Sequence, residues 1–260
     1  MELLGFSLRE VQLFFLVFFR TLGVIAIAPI LGGSSVHGSV KIGLSILTAM
    51  LLFPVVPIDT VVIPGSLIQL TICLLGELAI GIVIGFIART ALTAVEIGAQ
   101  VVSMQMGLTM ARVLDPLSGE QMSVIALFQN TLTVLIFVTI NAHHWLLEAL
   151  AESFQVVKPL AVVIPKGVGL MGVNILQGLF IAAMKIAAPG IIILLMITVL
   201  MGVIARTVPQ INILIVGFPL KIGVGLVVIG ASMIYFTDEV VRLLEAMRAD
   251  ISAAISLFGG

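Results

Sequence analysis

The sequence predicts an all-α, integral-membrane-type protein in which about six long apolar helices form hairpins. Of its 260 residues, 61% are hydrophobic and 10% are charged, whereas a soluble domain carries about 25% charged residues. Several windows of the length that crosses a bilayer, about 20 residues, contain no Asp, Glu, Lys or Arg. Because lipid offers no water to backbone polar groups, a helix must pair them internally. The composition therefore predicts helices in an apolar setting.

Proline, glycine and the flanking charges divide the chain into six apolar segments. These lie near residues 8–31, 38–56, 66–102, 121–150, 167–206 and 211–250. Three of them exceed the length of a plain bilayer crossing, and the third would run about 55 Å as one helix. Such helices must bend or extend beyond the hydrocarbon.

Charge and cysteine content exclude several classes of function. Twelve basic and 13 acidic residues give a net charge of −1, so the chain lacks the basic face that nucleic-acid binding requires. The single Cys73 cannot form a disulfide within the chain or a Cys-based metal site. The first residues lack the basic start of a signal peptide, and we expect them to begin the first helix.

Among the ionisable residues inside the apolar segments, four are candidates for a functional role: Glu77, Arg89, Glu96 and Lys185. An ionisable group at membrane depth is costly and usually faces a partner, a cavity or a pathway. Arg89 and Glu96 share one helix face, and ion pairing with another helix is favoured there over a proton relay. Lys185 precedes an Ala-Ala-Pro-Gly sequence that should kink the helix. A functional joint and a snorkelling lysine remain equal alternatives.

The run TINAHHWLLEAL ends the fourth segment with two adjacent histidines. His143 and His144 should point about 100° apart on a helix, so they lack the i, i+4 spacing that chelates an ion. We expect them to lie with Trp145 in an interfacial belt, with no metal and no cofactor. Because the sequence shows no nucleophile with a base and no phosphate-binding glycine loop, it does not indicate an enzyme.

Glycines recur at spacings that bring them together on one helix face. One set comprises Gly76, Gly81 and Gly85, and another comprises Gly217, Gly223 and Gly225. Glycine allows the backbones of two helices to approach closely. Packing within the chain is the favoured interpretation, and contact with partner subunits is the alternative.

Three blocks of sequence together resemble one family. They are QMGLTMARVLDP at 105–116, NAHHWLL at 141–147 and VPQINILIVGFPLKIGVGL at 208–226. The blocks are similar to those of the flagellar biosynthesis family FliR, the R subunit of the type III secretion export gate. Met110, where relatives carry aromatic residues, and NAHH, in place of Asn-Gly-His, depart from the pattern. The order of the blocks extends the resemblance over essentially the whole chain.

The resemblance implies a single R chain that assembles with several P and Q subunits into a helical, cone-shaped hetero-oligomer. Such a complex conducts unfolded export substrates across the bacterial inner membrane at the flagellar basal body, with much of it above the bilayer. Further implied partners are the large B-type export-gate protein, the A-type export-ring protein and membrane lipids. Within the chain, residues 1–160 are expected to be P-like and residues 161–260 a Q-like hairpin.

The resemblance also implies that a loop at about 104–122 closes the central channel. The residues expected to close it are Met104, Met106, Gly107, Met110, Arg112, Asp115, Pro116, Gly119 and Met122. Methionine side chains adapt to irregular gaps, glycine gives backbone freedom, and Asp-Pro should end the helix at 114 or 115. An ordinary loop between helices is the alternative.

The third block should supply contacts between subunits. The residues expected there are Pro209, Gln210, Asn212, Gly217, Pro219 and Lys221.

Two other classes of function remain as alternatives. A solute transporter would use Glu77, Arg89, Glu96 and Lys185 for coupling and should show paired broken helices, and a membrane-embedded enzyme would use the two histidines.

Overall fold

The computed structural model describes residues 8–33, 36–57, 64–108, 123–160, 165, 167–210 and 212–259, without the side chains of residues 213 and 214. Across these ranges the chain is helical and contains no strand. The predicted all-α fold is confirmed.

Eight α-helices lie within the described ranges. In chain order they are α1 Leu8–Ile27, α2 Gly38–Leu52, α3 Leu67–Met106, α4 Val124–Thr139, α5 Ala142–Val156, α6 Val168–Thr207, α7 Ile213–Ala231 and α8 Met233–Gly259. A 3₁₀ turn, Phe53–Val55, follows α2 and has a proline near its start. Helices α1, α2, α3 and α6 each lie within a few residues of a predicted segment.

The two remaining segments contain breaks that the apolar pattern does not show. Segment 121–150 forms α4 and α5, separated at Asn141, which adopts a left-handed conformation with φ 59°. Asparagine tolerates this conformation better than most side chains. Segment 211–250 forms α7 and α8, which meet at an angle of 60°. Each pair is therefore one apolar segment with a bend.

Helices α3 and α6 are the longest, at 40 residues each. Each would run about 60 Å at 1.5 Å per residue, roughly twice the hydrocarbon thickness of a bilayer. The helical backbone of α6 continues through Pro189. Within the described residues, four helices are long and apolar enough to cross a membrane, or up to six spans if each bent pair counts as one.

The contacts of the chain group it into two compact units. The first unit comprises Met1–Ala91, Asn141–Leu176 and Glu245–Gly260, and the second comprises Leu92–Ile140 and Gln177–Leu244. Helices α3, α6 and α8 contribute residues to both. The predicted division into a P-like part, residues 1–160, and a Q-like part, residues 161–260, is based on similarity to other subunits and not on contacts within the chain. It stays a prediction.

In the first unit, α1 and α3 make backbone contact through glycines on both helices. A Cβ atom on Gly23 would lie 2.5 Å from a backbone oxygen of α3, and one on Gly85 would lie 2.8 Å from a backbone oxygen of α1. At Gly81, a Cβ atom would overlap the carbonyl oxygen of Arg20. Packing within the chain is therefore confirmed for Gly81 and Gly85.

The second unit has an apolar core built from α3, α4, α6 and α7. Its buried residues are Val102, Met106, Ile125, Ala187, Leu194 and Ile229. Gly98 and Gly190 allow close contact, because Cβ atoms on them would lie 2.7 Å from the Ala183 carbonyl oxygen and 2.9 Å from the Val102 side chain, respectively. Small residues thus bring α3 and α6 together in this unit.

Large apolar side chains remain exposed along several helices. Only 11% of the span formed by α2 and its 3₁₀ turn is buried, and Leu51 is 76% exposed. Leu170 in α6 is 69% exposed, and Val199 farther along the same helix is 60% exposed. Surfaces of this kind mark contact with a membrane or with another protein.

The glycine contact between α1 and α3 generates a prediction about stability. Gly81→Ala should destabilise the first unit by about 1 to 3 kcal/mol, the usual range for overpacking, because the backbone oxygen of Arg20 cannot move aside without shifting α1. Thermal unfolding of the purified protein in detergent measures the effect. Gly43→Ala in α2 is the matched control, since a Cβ atom there meets nothing within 4 Å. Equal melting temperatures for the two variants would contradict the close contact.

Candidate functional site

A fully buried ion pair lies in the first unit. Nε of Arg20 in α1 donates to Oε2 of Glu77 in α3 at 2.6 Å, and Nη2 lies 2.6 Å from the same oxygen. Both side chains have 0% exposure. Two nitrogens of one planar guanidinium group on a carboxylate form a strong, charge-assisted contact. The pair fixes α1 against α3.

The same guanidinium group also binds the end of α5. Its Nη1 donates to the carbonyl oxygen of Ser153 at 2.7 Å and to the Ser153 hydroxyl at 3.1 Å, and Nη2 donates to the carbonyl oxygen of Val157 at 3.2 Å. The ring of Phe154 lies 4.2 Å from the guanidinium carbon. A cation is favourable at a helix C-terminus, where carbonyl groups lack helical partners.

Glu77 completes this network with its second oxygen. Oε1 accepts a hydrogen bond from the backbone N–H of Leu160 at 3.1 Å, and Leu160 has a left-handed φ of 73°. Both carboxylate oxygens are therefore satisfied. Removal of either partner would leave a buried charge uncompensated, which is strongly destabilising.

Arg20 is a residue that the sequence analysis missed. It lies inside the first apolar segment, between Phe19 and Thr21, and so meets the criterion that selected Glu77. Arg20 directly precedes a charge-free window, and a charge in that position resembles the flank of a helix. The same criterion would have added Arg20 to the candidates, without identifying Glu77 as its partner.

In the second unit, α3 ends in a glycine cap. Gly107 has a φ of +84°, a conformation that glycine adopts without the penalty of a Cβ atom. Its N–H donates to the carbonyl oxygen of Met104 at 3.0 Å, and the N–H of Leu108 donates to that of Ser103 at 3.2 Å. These two bonds form a Schellman motif. Leu108 packs against the apolar core of this unit.

This capped turn, Met104 to Leu108, is the loop base, where the proposed channel-closing segment begins. Met106 is fully buried in the apolar core, whereas Met104 is 66% exposed. The other residues expected to close the channel lie outside the described residues, as does the helix end expected at 114 or 115. They are Met110, Arg112, Asp115, Pro116, Gly119 and Met122.

Helix α7 contacts the loop base at two positions. A Cβ atom on Gly107 would lie 2.6 Å from two atoms of the Phe218 ring, and one on Gly225 would lie 2.7 Å from Cγ of Met106. Ring and backbone are thus in direct contact at the first position, and the Met106 side chain lies against Gly225 at the second. Phe218 was not selected from the sequence, although it lies within the third family block.

The residues expected to pack between subunits divide into two groups. Gly217 is buried within the chain and Lys221 is half-buried. The exposed members are Pro209, Gln210, Asn212 and Pro219. Gly217 lies within the packing of the chain itself, whereas contact of the exposed residues with a neighbouring subunit stays a prediction.

The remaining charges in the long helices have different surroundings. Lys185 lies 3.6 Å from a carboxylate oxygen of Glu239, and Arg242 lies 3.7 Å from the other oxygen. Arg89 and Glu96 are half-buried, and Arg89 makes a polar contact. Because Glu77 and Lys185 both have ionic partners, a structural role is favoured over a transport pathway for these two residues.

The rings of the two histidines lie close together, although adjacent positions on a helix are about 100° apart. The centroids of His143 and His144 are 4.2 Å apart and the ring planes are inclined at 42°. Among the residues that the structure describes, no group of three or more His, Cys, Asp or Glu could hold a metal. Nearby, Arg248 lies 5.2 Å from the Trp145 ring centroid and 3.3 Å from Glu148, in an exposed cluster.

Comparison with known proteins gives a consistent result. Residues 11–247 match the family described as bacterial export proteins, family 1. The chain is 33% identical to the flagellar biosynthetic protein FliR of Pectobacterium carotovorum, over 85% of this chain and 84% of that protein. It is 31% identical to FliR of Escherichia coli K12 over 96% of both chains. It is 32% identical to FliR of Bacillus subtilis 168, over 83% of this chain and 84% of that protein.

The buried pair generates a prediction about stability. Arg20→Met should cost about 3 to 5 kcal/mol, because it leaves the Glu77 carboxylate buried without its cation. The double variant Arg20→Met, Glu77→Leu should recover part of that loss, since neither charge remains. Unfolding in detergent measures the difference.

The exposed pair of Arg248 and Glu148 supplies the control for this prediction. Arg248→Ala should cost less than about 1 kcal/mol, as is usual for exposed ion pairs. If Arg20→Met were as stable as Arg248→Ala, the buried pair would not hold the first unit together.

Proposed function

The chain belongs to family 1 of the bacterial export proteins, among the FliR proteins, and we propose that it is the R subunit of a flagellar type III export gate. As a FliR protein it is a membrane component of the flagellar export apparatus. The proposal adds that one copy assembles with P and Q subunits in the bacterial inner membrane. The complex conducts unfolded export substrates, and the R chain catalyses no reaction itself.

The apolar surface that the chain leaves uncovered supports assembly most directly. Helix α6 would run about 60 Å, so a hydrocarbon layer of about 30 Å can cover only half of it. Large side chains are nevertheless exposed both near its start, as at Leu170, and near its end, as at Val203. Surface beyond the reach of lipid requires protein to cover it, and sister subunits built from similar apolar helices meet that need.

A closing role for residues 104–122 is supported by their composition and by the way the segment begins. Four methionines and two glycines occur between Met104 and Met122, and thioether side chains can fill a gap whose shape changes with the passing substrate. The segment leaves α3 at a defined point, because the Schellman motif at Gly107 ends the helix. A segment that begins at a defined point and is rich in methionine fits a channel closure.

The buried charges support a structural subunit rather than an ion-coupled transporter. A coupling residue must exchange ions or protons with a pathway, but Glu77 is fully buried and both of its oxygens are already bonded. The energy of substrate movement would then come from other components. Contacts with the B-type export-gate protein and the A-type export-ring protein belong to the same proposal.

Channel closure can be tested by ion conductance of the assembled gate. Replacing residues 109–120 by a Gly/Ser linker of equal length should raise conductance in liposomes severalfold, because the linker lacks side chains that fill the channel. The replacement begins after Leu108, so it keeps the helix cap and the buried Met106.

Co-purification with the P and Q subunits provides the control for assembly. A complex that assembles normally and conducts no more ions than the unmodified gate would rule out closure by this segment.

A further inference from the structure

Helix α3 carries a stripe of polar side chains in the part that belongs to the second unit. This polar stripe comprises Thr93, Glu96, Gln100 and Ser103. Their alternating spacing of three and four residues places them on one helix face. In the remainder of α3 within this unit, Gln105 is the one other polar residue. The polar groups are therefore concentrated on a single face of an otherwise apolar helix.

The polar stripe lies on the side of α3 that faces away from α6. Gly98 marks the contact with α6, because a Cβ atom on it would lie 2.7 Å from the Ala183 carbonyl oxygen. Glu96 and Gln100 are each two residues from Gly98, which is about 200° around a helix. The packing of α3 on α6 therefore does not account for the polar stripe.

Three members of the polar stripe lack a side-chain partner within the described part of the chain. Glu96 and Gln100 are half-buried, and neither side chain forms an ion pair or a hydrogen bond with a described residue. Ser103 is fully buried, and its hydroxyl oxygen likewise has no hydrogen-bond partner there. Buried polar groups normally have partners, and a carboxylate in hydrocarbon is costly. These groups therefore call for water and not for lipid.

We propose that the polar stripe lines a hydrated path in the assembled gate and that Glu96 makes this path selective for positive charge. The inference rests on the proposed function, because the path exists only where the chain meets its sister subunits. Water along the stripe supplies hydrogen bonds to the amide and hydroxyl groups. The Glu96 carboxylate attracts cations and repels anions, so basic stretches of an unfolded substrate pass it more readily than acidic ones.

Gln100 is the position at which the charge of Glu96 is best measured. The two residues are one helical turn apart, so their side chains lie roughly 6 Å from each other. Arg89, the other charged residue on this face of α3, is about 16 Å from Gln100 along the helix axis. Charges separated by more than about 8 Å are largely screened in water at physiological salt. Glu96 therefore dominates the contribution of α3 to the potential at Gln100.

Thiol labelling of the purified, assembled gate tests the hydrated path and its charge selectivity. Gln100→Cys in a Cys73→Ala background is the reporter, and a cationic and an anionic methanethiosulfonate of similar size are the probes. Each rate is divided by the rate of the same probe with free cysteine. The cationic probe should react roughly tenfold faster, which is the effect of one unit charge about 6 Å away in water. Glu96→Gln should bring the ratio of the two rates close to one.

Three further variants serve as controls. Ile192→Cys places the thiol on α6 at a residue that is 59% exposed in the chain. It should react on the order of tenfold more slowly than Gln100→Cys, because a thiol in apolar surroundings stays protonated. Asp238→Asn removes a carboxylate from an exposed position in α8 and should leave the ratio at Gln100→Cys unchanged. Glu96→Cys is a second reporter, which should react with both probes without preference even if Gln100→Cys disturbs assembly.

The outcomes distinguish this inference from the proposed function. Failure of the unmodified chain to co-purify with P and Q subunits would reject the proposed function, and the inference with it. If the gate assembles but Gln100→Cys and Glu96→Cys react no faster than Ile192→Cys, a sister subunit covers the polar stripe and the hydrated path is overturned. Fast labelling whose ratio does not change in Glu96→Gln would overturn the charge selectivity.

Discussion

Apolar helices that are longer than a bilayer is thick must be covered by something other than lipid. That constraint governs both units of this chain, because α3 and α6 contribute residues to each and run for 40 residues apiece. The chain covers one side of these helices by close packing at Gly81, Gly98 and Gly190. It leaves other sides exposed, as at Leu170 and Val199. Assembly with similar subunits is the simplest physical solution for the exposed part.

Each of the two units is stabilised internally by a different kind of interaction. In the first, the guanidinium group of Arg20 joins Glu77 to the end of α5 through directional, buried bonds. Separating Arg20 from Glu77 would leave two buried charges unpaired, so this unit resists rearrangement. In the second, Met106 and Phe218 make apolar contacts that can be lost and regained without leaving a charge unpaired.

Periodicity and punctuation in the sequence were enough to predict the helical segments and the close packing at Gly81 and Gly85. They could not predict the pairing of Arg20 with Glu77, because a charge in an apolar segment shows that it needs a partner but does not identify one 57 residues away. The bend at Asn141 was also missed, since the apolar pattern continues across it and only the left-handed backbone reveals the break. For the loop, the family resemblance indicated the region, but the contact of Gly107 with Phe218 depends on tertiary structure.

The claim on which the account depends is that this chain is one subunit of a mixed complex. Native mass spectrometry of the chain, purified after co-expression with P and Q export-gate subunits, tests it most directly. The account predicts a single copy of the chain within a large hetero-oligomer. A stable monomer or homodimer free of partners would contradict it, because the exposed faces of α2 and α6 would then need no protein to cover them.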